Sequence, residues 1–246
     1  MQESLTIHFQ GLVYRERNAG RQIDEHMTDA GFNNQIGTNP ETGFVFGGND
    51  ANCGTWMDKM GSSEKAGTKG VPSSPRDGSA VELVGLQDSV LRFLEKCTDY
   101  PFKAVERINH STNITTKWTF REWAEKIEQN FEKYFYVSET DTSPLVHKKK
   151  MYKDSHGASR NFADYQLRCN FLVTMVVAPQ LFDAEHAWEA LETAKNHILG
   201  PLGMKTLDPD DWSYRGDYDN ANDSNDPKIA HGANYHQGPV SFYFYF

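Results

Sequence analysis

The chain has 246 residues, with 25 Lys plus Arg against 34 Asp plus Glu, a net charge of −9. That balance excludes a protein that grips nucleic acid by general charge, and it argues against an anionic membrane surface as partner. With 38% hydrophobic and 24% charged residues, the composition fits a folded chain of one domain or two small ones.

Met1-Gln2-Glu3 is acidic, and no apolar stretch of signal-peptide or membrane-spanning length follows it. Cys53, Cys97 and Cys169 are widely spaced and odd in number, which predicts reduced thiols in a cytoplasmic protein. Leu5, Ile7 and Phe9 alternate with polar residues and predict a short N-terminal β segment, closed by the charged run from Tyr14. From Gly31 to Gly78 the chain holds ten of its 19 glycines and no helical period. A loop of that length predicts a functional or disordered segment. Its aromatics Phe32, Phe44, Phe46 and Trp56 favour the ordered, functional kind.

Helical patterns follow. Ala80 to Cys97 carries a broad apolar face, and Ser79 with Glu82 has the spacing of a capping box. Thr119 to Phe135 places Phe120, Trp123, Ile127, Phe131 and Phe135 on one face, again behind a capping-box pair, Thr119 and Glu122. Asn170 to Ala178 is apolar all round and predicts a buried helix stopped by Pro179. Asp183 predicts the cap of a helix through Leu199, with Ala187, Trp188, Leu191, Ala194 and Ile198 inward. Phe120, Trp123, Phe131 and Trp188 read as core. Lys205 to Gly238 is polar and rich in Asp, and the chain ends in the aromatic run Val240 to Phe246.

No zinc helix, nucleophile elbow or phosphate loop is present, so no cofactor is expected. His231 and His236 lack a recognisable metal spacing. Asp217 to Asp226 fails as a calcium loop at Ala221 and at its missing Gly, and reads as a solvated loop. No metal is therefore expected. What remains is six polar-aromatic clusters: Asn52 to Lys59, Pro75 to Ser79, Tyr152 to Ser155, Asp164 to Arg168, Asp208 to Trp212 and Asn234 to Gln237. Carboxylates, amides, arginine and tryptophan mixed in loops suit a sugar, which offers hydroxyls for hydrogen bonds and an apolar face for a ring.

Several stretches resemble one family. They include Arg15-Glu-Arg-Asn-Ala-Gly20, Asn52-Cys-Gly-Thr-Trp-Met-Asp-Lys-Met-Gly61, Pro75-Arg-Asp-Gly-Ser-Ala-Val-Glu82, Leu145-Val-His-Lys148 and the run from Gly200 to Asp211. In order along nearly the whole chain, they resemble the C-terminal, amylo-1,6-glucosidase part of the eukaryotic glycogen debranching enzyme family. The resemblance implies a mainly α fold, a partial (α/α)6 toroid over residues 1–239, with 240–246 an out-of-family tail. It implies glycogen or limit dextrin as partner, and hydrolysis of α-1,6-linked glucose stubs with inversion. That chemistry needs an acid and a base carboxylate about 6.5–9.5 Å apart.

By motif the acid is Asp77. The resemblance places the base beyond Pro239, where no residue here matches, so this chain alone is expected to be a truncated and nearly inactive piece. The alternative is a non-catalytic glycogen-binding or assembly protein. Trp56 and Asp58 are candidate sugar contacts, followed by Arg76, Asp24, Asp154, Arg168 and Gln237. Glu82 is better explained as a cap than as the second carboxylate. An acid must hold its proton near neutrality. The acid role therefore predicts that Arg76 points away from Asp77, or that burial or a second carboxylate outweighs it.

Overall fold

The computed structural model describes every residue except 23, 24, 26, 110, 218, 233, 234, 239 and 243–246, and of 240–242 it describes only the backbone. Asp24, Asn234 and the end of the aromatic tail thus lie outside the described residues.

The N-terminal segment folds as helix α1 (Gln2–Gln10), not as the strand its alternation predicts. Leu5 and Phe9 are its buried residues. A spacing of four fits both periods, and packing against the Ala104–Asn109 strand settles it as helix. Gly11, at φ +81°, ends α1. The short β segment comes next: Leu12–Arg15 pairs antiparallel with Asn33–Thr38, which pairs with Val45–Gly47. One turn of helix, α2 (Asp29–Phe32), precedes that second strand.

Helix α3 (Val81–Lys96) and helix α4 (Phe120–Phe135) pack together and carry most of the core. The predicted stripe of α4 is all buried. Its start is the expected capping box, with the Thr119 side chain and Glu122 each bonding the other's backbone N–H. The start of α3 is different. Its N-cap is Ala80, no side chain caps it, and Ser79 lies in a strand paired with Ser155–His156. The Glu82 carboxylate turns to Arg76 instead. A buried guanidinium nearby outcompetes a backbone N–H for that carboxylate, because the ion pair satisfies two buried charges at once.

Helix α5 (Phe171–Val177) crosses α3 closely. Phe171, Leu172 and Thr174 are buried, but Val176 is 73% exposed, so this helix is not enclosed on all sides. Helix α6 (Ala184–His197) has the predicted Asp183 cap, which accepts from the N–H groups of Glu185 and His186. Its inward face is Ala190, Ala194 and Ile198; Ala187 and Leu191 are half-buried and Trp188 is 70% exposed. The small residues let α6 approach the Met151–Tyr152 strand, and that phase turns Trp188 out.

A hairpin, Ala104–Asn109 with Ile114–Thr119, joins α3 to α4. The result is mainly helical with small sheets, and the six described helices do not close into a ring. Among the described residues no helix is long and apolar enough to cross a membrane.

The glycine-rich segment is ordered on this frame. Phe44 is fully buried, and the Gly43 carbonyl accepts from Trp123 Nε1 of α4 at 2.8 Å and Gln87 Nε2 of α3 at 3.2 Å. Farther along, residues 59–75 lie against the polar segment 206–238. Ser62 N donates to the His231 carbonyl, Ser73 Oγ to that of Gly232, and Ser63 Oγ to Asp223. The six polar-aromatic clusters meet beside this seam.

Candidate active site

Residues 75–78 reach α3 through a strained turn. Arg76 adopts φ +47°, a left-handed conformation that is costly for a side chain of its size. A Cβ on Gly78 would stand 2.6 Å from both the Ala158 nitrogen and the His156 oxygen, so only glycine fits that approach.

The Arg76 side chain holds the turn. Its Nε donates to Asp154 Oδ2 at 2.5 Å. Nη1 and Nη2 make a fork with Glu82 Oε1 and Oε2 at 2.6 Å each, and Nη1 also reaches Thr55 Oγ1 at 3.0 Å. Arg76, Asp154 and Glu82 are each 3% exposed or less. Burial opposes the guanidinium charge, but Asp154 and Glu82 outweigh it and push the Arg76 pKa up.

Arg76 thus faces away from Asp77, the orientation the acid role predicts. Asp77 is 7% exposed. Oδ1 accepts from the Ser159 N–H at 3.0 Å and Oδ2 meets the Ser159 hydroxyl. Among the described residues no cation pairs with it. The hydroxyl contact can reverse: Ser159 Oγ can donate to a carboxylate or accept from a protonated carboxyl.

A second layer ties the remaining clusters in. Asp154 Oδ1 accepts from Asn170 Nδ2 at 2.7 Å, and Asn170 Oδ1 accepts from Trp56 Nε1 at 3.0 Å. Arg168 is 2% exposed. It donates to Gln166 Oε1, to Gln237 Oε1 at 3.0 Å, and to the carbonyls of Thr206 at 3.1 Å and His236 at 2.7 Å. Burial pushes the Arg168 guanidinium down, and Arg76 adds to that effect while Asp154 opposes it. Gln237 Nε2 donates to the Ser73 carbonyl and to Ser74 Oγ. Gln166 Nε2 reaches Asp211 and Ser213.

The structure therefore brings together Asp77, Arg76, Asp154, Arg168, Gln237 and Trp56. Arg76, Asp154 and Arg168 direct their polar atoms at one another and at neighbouring loops, not at solvent. Asp58 sits apart from this network, with its side chain 58% exposed. Its Oδ1 is 4.0 Å from His236 Nε2, and the His236 ring packs edge-on against Trp56 at 5.0 Å. Burial, helped by Arg168, lowers the His236 pKa to about 4, so this imidazole is neutral near neutrality.

Between these layers opens a cavity of about 110 Å³, lined in part by Ser74, Arg160, Phe162, Gln166 and Trp212. Outside its lining, His197, Asp208 and Asp210 bring ligand atoms within 4.8 Å of one another. The Lys148 ammonium already stands there, 2.7 Å from Asp210 and 3.6 Å from Asp208, and supplies the positive charge. Asp223 in the calcium-like stretch is 3.0 Å from Lys65 Nζ.

Sequence reasoning missed Ser159, Asn170 and the pairing of Glu82 with Arg76. Ser159 is 82 residues from Asp77 and Asn170 is 114 from Trp56, so no spacing could mark them. Glu82 had a local signal, but that signal matched a cap as well as an ion pair.

A family model described as amylo-alpha-1,6-glucosidase matches residues 1–245. The glycogen debranching enzyme of Saccharomyces cerevisiae (strain ATCC 204508 / S288c) is 43% identical over 258 residues, covering 99% of this chain and 16% of that protein. The chain thus spans about one sixth of the length of the curated relative it matches. A match that runs through every segment meeting at Arg76 and Asp77 leaves one conclusion: the chain belongs to the amylo-alpha-1,6-glucosidase family.

Proposed function

We propose that this chain carries the acid side of a glucosidase site that removes α-1,6-linked glucose stubs from glycogen with inversion, with Asp77 as general acid. The observation that carries the reading is the split of roles between adjacent residues. The Arg76 cation is locked into Asp154 and Glu82, while Asp77 meets only the Ser159 N–H and hydroxyl. An acid must give its proton to the glycosidic oxygen as the bond breaks, and an ion-paired carboxylate would have none to give. The hydroxyl of Ser159 can orient a protonated Asp77 and then stabilise the carboxylate left behind. Arg76, Asp154, Arg168 and Gln237 position the loops that present it, and Trp56 and Asp58 are assigned as sugar contacts. The carboxylate that activates water comes from sequence following the part matched here, and the helices form one arc of an (α/α)6 toroid. The protein works in the cytoplasm on glycogen or limit dextrin.

The test uses a chimera in which this chain replaces the matching segment of the yeast relative. Asp77→Asn lowers glucose release from limit dextrin by about 10²–10⁴-fold. It keeps most turnover of α-glucosyl fluoride, because fluoride leaves without protonation. Equal loss on both substrates would assign Asp77 a structural role and overturn the reading.

A further inference from the structure

Two tryptophans stand out in solvent, Trp188 at 70% and Trp212 at 69% exposure. Their settings differ. Trp188 borders a groove with the apolar side chains Leu191, Leu199 and Met204, and nothing in the structure says what covers it. Trp212 stands on a loop held from below by the buried network of the site. Asp211 Oδ1 accepts from the Ser213 N–H and hydroxyl at 2.8 Å each, and from Gln166 Nε2 at 3.2 Å. Gln166 in turn is held by Arg168 at 2.9 Å. The ring of Phe162 meets the indole edge-on, with centroids 5.2 Å apart and planes at 63°. This single ring contact leaves Trp212 69% exposed.

A large apolar ring held rigidly in water contributes nothing to the core and costs hydration. Such a ring offers an apolar surface to something flat and partly apolar. Beside the ring lies the cavity of about 110 Å³, with Ser74, Arg160, Gln166 and Ser213 in its wall. That volume is well below a drug-sized pocket of about 300 Å³ or more, so a ligand rests over the mouth with one polar edge inside. A flat apolar surface beside hydroxyl, amide and guanidinium groups matches a pyranose, which has an apolar face and a rim of hydroxyls. The wall of the same cavity includes Pro75 and Arg76, the two residues that precede Asp77 in the chain.

We propose that Trp212 is a stacking platform for a glucosyl unit of an α-glucan, with the exposed Arg160 guanidinium bonding its hydroxyls. The inference rests on the reading of the substrate given above. It adds a binding residue that the motifs did not single out as a site residue. Because the ring is pre-set by Asp211 and Phe162, little conformational freedom is lost when sugar binds.

The test is a titration of the chain with maltoheptaose, read by tryptophan emission and calorimetry. The background is Trp188→Phe, which removes the other exposed indole. Saturable binding is expected, about tenfold weaker in Trp212→Ala and largely kept in Trp212→Phe. Thermal midpoints should stay unchanged, since the ring is outside the core. A Trp212→Ala variant that binds maltoheptaose as tightly as its parent overturns the inference, and so does a parent that binds none. The two readings fail separately. Trp212-dependent binding without Asp77-dependent hydrolysis sinks the acid assignment alone. Asp77-dependent hydrolysis with binding indifferent to Trp212 sinks the platform alone.

Discussion

Arg76 and Asp77 are neighbours in the chain with opposite surroundings. Arg76 sits in a closed, fully bonded ion network, so removing one partner leaves a charge stranded in a dry interior. Asp154→Asn is therefore expected to cost about 3–5 kcal/mol of stability. Asp77→Asn keeps the acceptor oxygen for the Ser159 N–H and should cost about 1 kcal/mol. Urea unfolding of the two variants checks the difference; equal costs would place Asp77 inside the structural network. His236 gives a second prediction, in pH. Its folded pKa of about 4 lies below the 6.5 of a free imidazole, so between these values the unfolded chain binds the extra proton. Stability therefore rises with pH across that window, by up to about 1.4 kcal/mol per pH unit, and this contribution is complete above about pH 6.5. His236→Asn, which tolerates the left-handed φ of +62°, should flatten the stability curve between pH 4 and 6.5 relative to the parent. Parallel curves would show that this imidazole does not titrate differently in the fold.

At the scale of elements, α3 and α4 carry similar sequence signals and start differently. Thr119→Ala removes a working capping box and should cost about 1 kcal/mol. Ser79→Ala touches no cap, so any loss there comes from its buried strand position and not from helix ends. The packing of α3 on α5 is sharper still. A Cβ on Gly85 would meet Thr174 Cγ2 at 2.5 Å. In an isolated helix Gly→Ala gains about 1 kcal/mol. Here Gly85→Ala should lower the thermal midpoint, because α3 and α5 must move apart; a raised midpoint would show that the crossing has slack. The long amphipathic helices were legible in sequence because their burial follows a local period. The phase of α6 was not. Trp188 looked inward by hydrophobicity, yet the small residues Ala190 and Ala194 set the face, since close approach to the Met151–Tyr152 strand matters more there than apolar area.

The whole molecule is held at its site by loops that meet across great sequence distance. The six polar-aromatic clusters were legible as sugar-like material, and all six meet in the fold. Their mutual bonds were not legible, since partners such as Arg168 with Gln237, or Gln237 with Ser74, are 69 and 163 residues apart and leave no periodic trace. Such a seam has a mechanical consequence. Arg168 bonds Gln166 on one side and the Thr206, His236 and Gln237 segment on the other, and Gln237 passes the support on to Ser73 and Ser74. If these loops form one cooperative unit, loosening Arg168 loosens them all. Arg168→Met leaves several buried acceptors without donors, each worth about 1–3 kcal/mol. The Ser62 N–H, which bonds across the seam, and the N–H groups of Arg215 and Gly238, which bond within the polar segment, should then lose hydrogen-exchange protection together, by about 10–100-fold. The N–H groups of Ile127 and Phe131 inside α4 should keep theirs, because the α3–α4 core makes no use of Arg168. Loss confined to Gly238, with Ser62 unchanged, would show that the glycine-rich segment and the polar segment are separate units and that the site is not held as one body.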